Sequence, residues 1–178
     1  MDYNAILGSI VAELSENAKK VSTEEIEKFA DLVIAAKRVF VAGAGRSGFA
    51  ARAFSNRTMH LGKIVYFVGE PTTPSIGEGD LMICACGSAN VGHENYVADQ
   101  AKKAGAKLAL ITPAGAGFLL DIADIKVRVP AAAYKAAGDF VPTQQLMGNL
   151  FEQTLFIFYD ILVMMLREEM VARHRNVE

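Results

Sequence analysis

The sequence predicts an α/β fold: a five-stranded parallel sheet, strand order 2-1-3-4-5, covered by helices on both sides. Three observations predict it. Short apolar runs alternate with longer segments of helical periodicity, the pattern of repeated strand–helix units. The first run, Val39 to Ala42, is apolar throughout, as a strand covered on both faces is. That run ends in a glycine turn, Gly43-Ala44-Gly45-Arg46-Ser47-Gly48, which opens a helix.

In chain order, residues 3–20 place Ile6, Ile10, Val11 and Leu14 on one face of an amphipathic helix. Ser22 and Glu25 supply a capping box for a second helix to about Ala36. Strand one and the glycine turn follow, then a helix from about Arg46 to Leu61. Ile64 to Val68 is the second strand, and Pro71 and Pro74 stiffen the loop after it. A turn at Gly77–Asp80 leads into strand three, Leu81 to Ala85. Cys86-Gly87-Ser88-Ala89-Asn90-Val91 is a small-residue loop before a helix to about Ala104, which Gly105 stops. Lys107 to Ile111 is strand four, and a short helical piece lies near Phe118 to Ala123. Ile125 to Val129 is strand five, ended by Pro130. Residues 131–145 read as irregular, and a last helix runs from about Leu146 to Val171.

A length of 178 residues predicts one domain with a sizeable core. Its parts would be N-terminal helices (1–36), an α/β core (37–145), a C-terminal helix (146–172) and a tail (173–178). A net charge of −2 with no basic run argues against nucleic acid and against an anionic membrane. Cys84 and Cys86 are too close for an ordinary disulfide and too few for a zinc site; they read as buried thiols in a reducing cytosol. The N-terminus lacks a signal-peptide layout, and Glu152, Gln153 and Asp160 make the apolar stretch Leu150 to Leu166 a poor membrane span. The expected location is the cytoplasm.

The helix after strand one points unpaired N–H groups, and a partial positive charge, at whatever sits on the glycine turn; a phosphate suits that spot best. Gly43, Gly45 and Gly48 also spell the dinucleotide fingerprint GxGxxG, with Glu70 as candidate ribose-binding acid. Two features count against it. Arg46 and Ser47 suit a bare phosphate, and the chain leaves little room for a separate substrate domain. In a 2-1-3-4-5 sheet, ligands sit beyond the strand ends where the order reverses, between strands 1 and 3. The loops leaving those strands, Gly43–Gly48 and Gly87–Asn90, both combine glycine with serine.

With both loops in hand, the chain resembles the sugar isomerase (SIS) domain family and, within it, the 6-phospho-3-hexuloisomerases. Matching segments are Val41–Gly48, Met59–Gly62, Gly69-Glu70 with Thr72-Thr73-Pro74, Glu78–Leu81, Met147–Gln153 and the closing Arg173–Glu178. The resemblance implies a three-layer αβα, flavodoxin-like fold and a homo-oligomer, a tetramer with sites near subunit contacts. It implies a small phosphosugar substrate, with interconversion of 3-hexulose 6-phosphate and fructose 6-phosphate in the ribulose monophosphate pathway. No metal or organic cofactor is implied. One departure stands out. The family's second loop reads Ser-Gly-Ser-Gly-Glu-Thr, whereas Cys86 and Val91 here replace two hydroxyl donors. That loss would weaken phosphate binding by about one to three powers of ten.

Moving a carbonyl between neighbouring carbons requires a group that removes and returns a proton. Glu152 is the candidate base, a lone carboxylate in an apolar run where desolvation would favour its protonated form. Its alternative is a helix-start carboxylate stabilised by the dipole, and the family match favours catalysis. His60 is either a helix-terminal charge or an aid to proton transfer between substrate oxygens. His174 sits in a tail that the resemblance folds over a site, while His93 reads as solvated. Gly45, Arg46, Ser47, Gly87, Ser88 and Asn90 are the expected phosphate and substrate contacts, with Thr72 and Thr73 for sugar hydroxyls or as loop caps. Glu78 reads as a turn residue, and the stripe Phe151, Leu155, Phe158, Leu162 and Met165 as core or subunit contact. The rival reading is a sugar-phosphate sensor of the same fold, or an isomerase of another phosphosugar.

Overall fold

The computed structural model describes residues 2–133, 139–146 and 148–175, with side chains through Glu169. Its strands are β1 (Val39–Gly43), β2 (Val65–Phe67), β3 (Leu81–Ala85), β4 (Lys107–Thr112) and β5 (Ile125–Arg128). They form one parallel sheet in the order β2-β1-β3-β4-β5, as the alternation of runs predicted. In register, Val41 stands beside Phe67 and Ile83, and Ile83 beside Ala109.

Because strand side chains alternate in direction, the sheet has two separate cores. Val39, Val41, Leu81, Ile83, Ala109 and Ile111 face one way, against α2 (Thr23–Ala35), α3 (Gly45–His60) and α6 (Asn149–Arg175), with α1 (Tyr3–Ala18) outside them. Phe40, Ala42, Met82, Cys84, Leu108 and Leu110 face the other way, under α4 (Gly92–Lys103) and α5 (Phe118–Ile122). The result is three layers. Phe54 of α3 stacks on Tyr159 of α6 at 4.5 Å between ring centroids, and Phe29 of α2 meets Phe158 edge-on at 5.4 Å. These contacts seat α6 firmly beside α3.

Several local expectations change. Ser22 Oγ accepts the Glu25 N–H at 3.3 Å, but the capping box stays half made. The Glu25 carboxylate instead accepts the Arg128 N–H at 3.0 Å, tying α2 to β5. Ile6 and Val11 are exposed rather than buried, because only the Leu14 end of α1 reaches the core. Helix α6 starts at Asn149, not Leu146, since Gly148 at φ +93° breaks helical geometry just before it. It continues through Arg175, past the expected start of the tail. Asn149–Glu169 is by length and composition apolar enough to cross a membrane, contrary to the expected poor span. In the fold it is a core helix, burying Leu150, Phe151, Leu155, Leu162 and Leu166.

A polar lock holds the other end of the sheet. Asp80, just before β3, is 3% exposed and accepts from Arg38 Nε at 3.0 Å and from the Gly77 N–H at 2.8 Å. The Arg38 bond, with help from Gly77 and against desolvation, holds the Asp80 carboxyl below its usual value. A depressed carboxylate contributes stability that is present above its unfolded pKa, about 3.9, and is lost as pH falls through the folded value. Asp80→Asn is therefore expected to melt lower than wild type at pH 7, with the gap closing below about pH 4. Thermal melts across pH check this; a gap that stays constant with pH would remove the ion pair as its source.

Candidate active site

The crevice forms where β1 and β3 hand over to α3 and α4. Gly43 and Gly48 let β1 and α3 touch: a Cβ on Gly48 would lie 2.5 Å from the Gly43 carbonyl oxygen. Ala44 precedes α3 and Val91 precedes α4, and neither side chain caps its helix. Both helices thus begin with N–H groups that no cap side chain satisfies, and both begin at one cavity of about 520 Å³. Gly45, Arg46 and Ser47 line it from the first loop, and Gly87, Ser88, Asn90 and Val91 from the second. Ala133, Gly148 just before α6, and Phe151 and Glu152 in its first turn complete it.

Glu152 turns away from the buried stripe of α6 and into this cavity, with 16% of its side chain exposed. Gly148 makes room for it, since a Cβ there would sit 3.3 Å from Glu152 Oε1. The expected apolar isolation is not what the structure shows. Arg46 Nε donates to Glu152 Oε2, so the acid has a guanidinium partner from the glycine turn. Arg46 is 63% exposed, so its guanidinium faces the solvent at the cavity mouth. Among the described residues lining the cavity, these two are the only charges.

The second loop is held tightly. Ala89, fully buried, is the one described non-glycine residue at positive φ (51°); its carbonyl accepts the Leu119 N–H at 3.0 Å. Gly117 lies against it, where any Cβ would come within 3.0 Å of the Ala89 Cβ. Ser88 Oγ accepts the Asn90 N–H at 3.4 Å, and Asn90 Oδ1 accepts from Asn95 Nδ2 at 2.7 Å. Cys86 corrects an expectation about the lost donors. Its thiol is buried among the α4–α5 core residues and is not part of the cavity lining; desolvation pushes its pKa up. Val91 lines the cavity, whereas the Cys86 thiol sits behind it, accepting from Ser88 and Asn90 of the same loop.

Other expected contacts lie elsewhere. His60 is exposed at the far end of α3, about 22 Å from Gly45 at the rise of a helix. Thr73 Oγ1 donates to the Phe67 carbonyl at 2.8 Å, a loop cap. Thr72 lines a second cavity of about 300 Å³ with Arg52 and Glu70. Glu70, the candidate ribose acid, is paired with Arg52, whose guanidinium lies 3.8 Å over the Phe67 ring. His93 and Glu78 are exposed, and the His174 side chain lies outside the described residues. Gly148, Ala133 and Phe151 were not singled out from sequence as parts of the cavity. A glycine four residues before the candidate acid is the signal that could have found the first of them. Among the described residues no three His, Cys, Asp or Glu side chains converge as a metal site requires.

A parallel 2-1-3-4-5 sheet with two serine–glycine loops meeting at its switch point defines a class, and the chain belongs to the SIS domain family, whose model matches residues 32–158. Within that family it is 35% identical over 185 residues to 3-hexulose-6-phosphate isomerase of Bacillus subtilis, covering 100% of both chains. It is 38% identical to 3-hexulose-6-phosphate isomerase of Mycobacterium gastri, over 99% of this chain and 92% of that one. Among solved structures, a Methanococcus jannaschii protein superposes with a TM-score of 0.77 and 30% identity, over 96% of this chain and 92% of that one. Its description infers a molecular function of 3-hexulose-6-phosphate isomerase.

Proposed function

We propose that this chain interconverts 3-hexulose 6-phosphate and fructose 6-phosphate through an enediol, as a step of the ribulose monophosphate pathway. The observation that carries the reading is the convergence of two uncapped helix starts and the Arg46–Glu152 pair on one cavity. The phosphate dianion rests on the amides of Gly45–Ser47 and Gly87–Ser88, with the Ser47 and Ser88 hydroxyls and Asn90 as further donors. Arg46 swings from Glu152 to the anion or to the developing enediolate. Glu152 then takes the proton from C2 of the 3-ketose. The C2–H electrons form the C2=C3 bond, and the C3 carbonyl oxygen gains a proton. Return of a proton to C3 and loss of the O2 proton leave the carbonyl at C2.

Proton transfer between O2 and O3 is assigned to His60 of a second copy, since the distance along α3 keeps His60 of the same chain away. Oligomerisation is supported by exposed apolar side chains on the packed pair α1 and α6: Tyr3, Leu7, Val11, Phe156, Ile161 and Met164. A homotetramer of single-domain subunits in the cytoplasm is the proposed assembly, and the free buried Cys84 and Cys86 suit a reducing compartment. Incubation with fructose 6-phosphate in deuterated water is expected to place solvent deuterium on carbon. A protein that binds the sugar phosphate without exchange would be a sensor instead.

A further inference from the structure

One carboxylate outside the cavity gathers three hydrogen bonds from three consecutive residues. Glu13 of α1 accepts from Thr143 Oγ1 at 2.6 Å and Gln145 Nε2 at 2.9 Å on one oxygen, and from the Gln144 N–H at 2.9 Å on the other. Thr143 Oγ1 in turn accepts the Gln145 N–H at 3.1 Å, so the segment is folded around the acid. This segment leads directly into α6: the Leu146 carbonyl accepts the Asn149 N–H at 3.1 Å, and the Gly148 carbonyl accepts the Glu152 N–H at 3.0 Å. One turn further along α1, Asn17 Nδ2 donates to Thr154 Oγ1 of α6 at 2.7 Å. Helix α1 therefore grips the chain on both sides of Glu152.

The two grips differ in kind. Asn17 and Thr154 are buried, whereas Glu13 is only half-buried. Desolvation raises the Glu13 carboxyl, but the bonds from Gln144, Thr143 and Gln145 outweigh it and hold it below the usual value. An ionised acceptor makes each of these bonds stronger than a neutral one would be.

We propose that Glu13 is a positioning residue: by anchoring Thr143–Gln145 it sets where the Glu152 carboxylate stands over the cavity. The proposal rests on the isomerase reading for its kinetic test and on hydrogen exchange for its structural one. In Glu13→Ala the phosphate loops are untouched, so KM for fructose 6-phosphate and the Kd of inorganic phosphate should stay within about twofold of wild type. Turnover should fall about tenfold or more, as a displaced base requires, and Glu13→Gln, which keeps an acceptor for Gln144, should recover much of it. Amide exchange in the peptides spanning 143–155 should quicken in Glu13→Ala, with the 45–60 helix unchanged. Wild-type turnover in Glu13→Ala overturns the proposal, as does a matching loss of phosphate affinity. Unchanged exchange at 143–155 overturns it whether or not the wild-type protein turns over fructose 6-phosphate; failure of that wild-type turnover alone counts against the isomerase reading.

Discussion

Glu152→Gln is expected to lower turnover by about three powers of ten while inorganic phosphate still binds within a few-fold of wild type. The substitution keeps the shape of a side chain that is mostly enclosed between Gly148 and Arg46. It removes the ability to accept a proton from carbon and leaves the loop amides of Gly45–Ser47 and Gly87–Ser88 in place. Positioned acid–base catalysis contributes about two to four powers of ten, and the whole of it should be lost here. The deuterium experiment makes the test specific: the variant should place deuterium on carbon about a thousandfold more slowly than wild type. Exchange at the wild-type rate would mean that another group carries the proton. A parallel fall in phosphate affinity would mean that Glu152 acts by holding Arg46 rather than by moving a proton.

The strands were legible because parallel strands buried on both faces must be apolar along their length, and Val39–Ala42 and Leu81–Ala85 are. The two loops were legible together because the topology of such a sheet fixes where they meet. What escaped was contact across long sequence distance. Glu152 stood out as an acid in a greasy helix, but nothing local announces that Arg46, 106 positions away, turns its guanidinium onto it. Glu13 lies 130 positions from Thr143, and nothing in its own helix marks it out. Glu25 matched the capping pattern yet was drawn to the Arg128 amide by the packing of α2 on β5. His60 is different, because the length of α3 alone says that its two ends cannot share a pocket. The Met59–Gly62 match tells of a relative's residues and not of which subunit supplies them.

Gly48→Ala is expected to prevent stable folding, or to cost roughly 3–5 kcal/mol where folding survives. The added Cβ would lie 2.5 Å from the Gly43 carbonyl oxygen and 3.0 Å from its carbon, both backbone atoms with no rotamer to retreat into. Relief requires lifting α3 from β1, and β1 lies between β2 and β3 in the sheet. It would also pull Phe54 from its stack on Tyr159 and Arg46 from Glu152, so core and crevice fail together. A native domain holds only about 5–15 kcal/mol in reserve. Gly8→Ala supplies the contrast. Gly8 lies within α1 with open space where its Cβ would go, and there the methyl removes backbone freedom from the unfolded chain. That variant should gain about 0.5–1 kcal/mol. Chemical denaturation of the two variants beside wild type reads the opposite signs directly. A Gly48→Ala protein as stable as wild type would show that β1 and α3 do not meet as closely as the Gly43–Gly48 turn draws them.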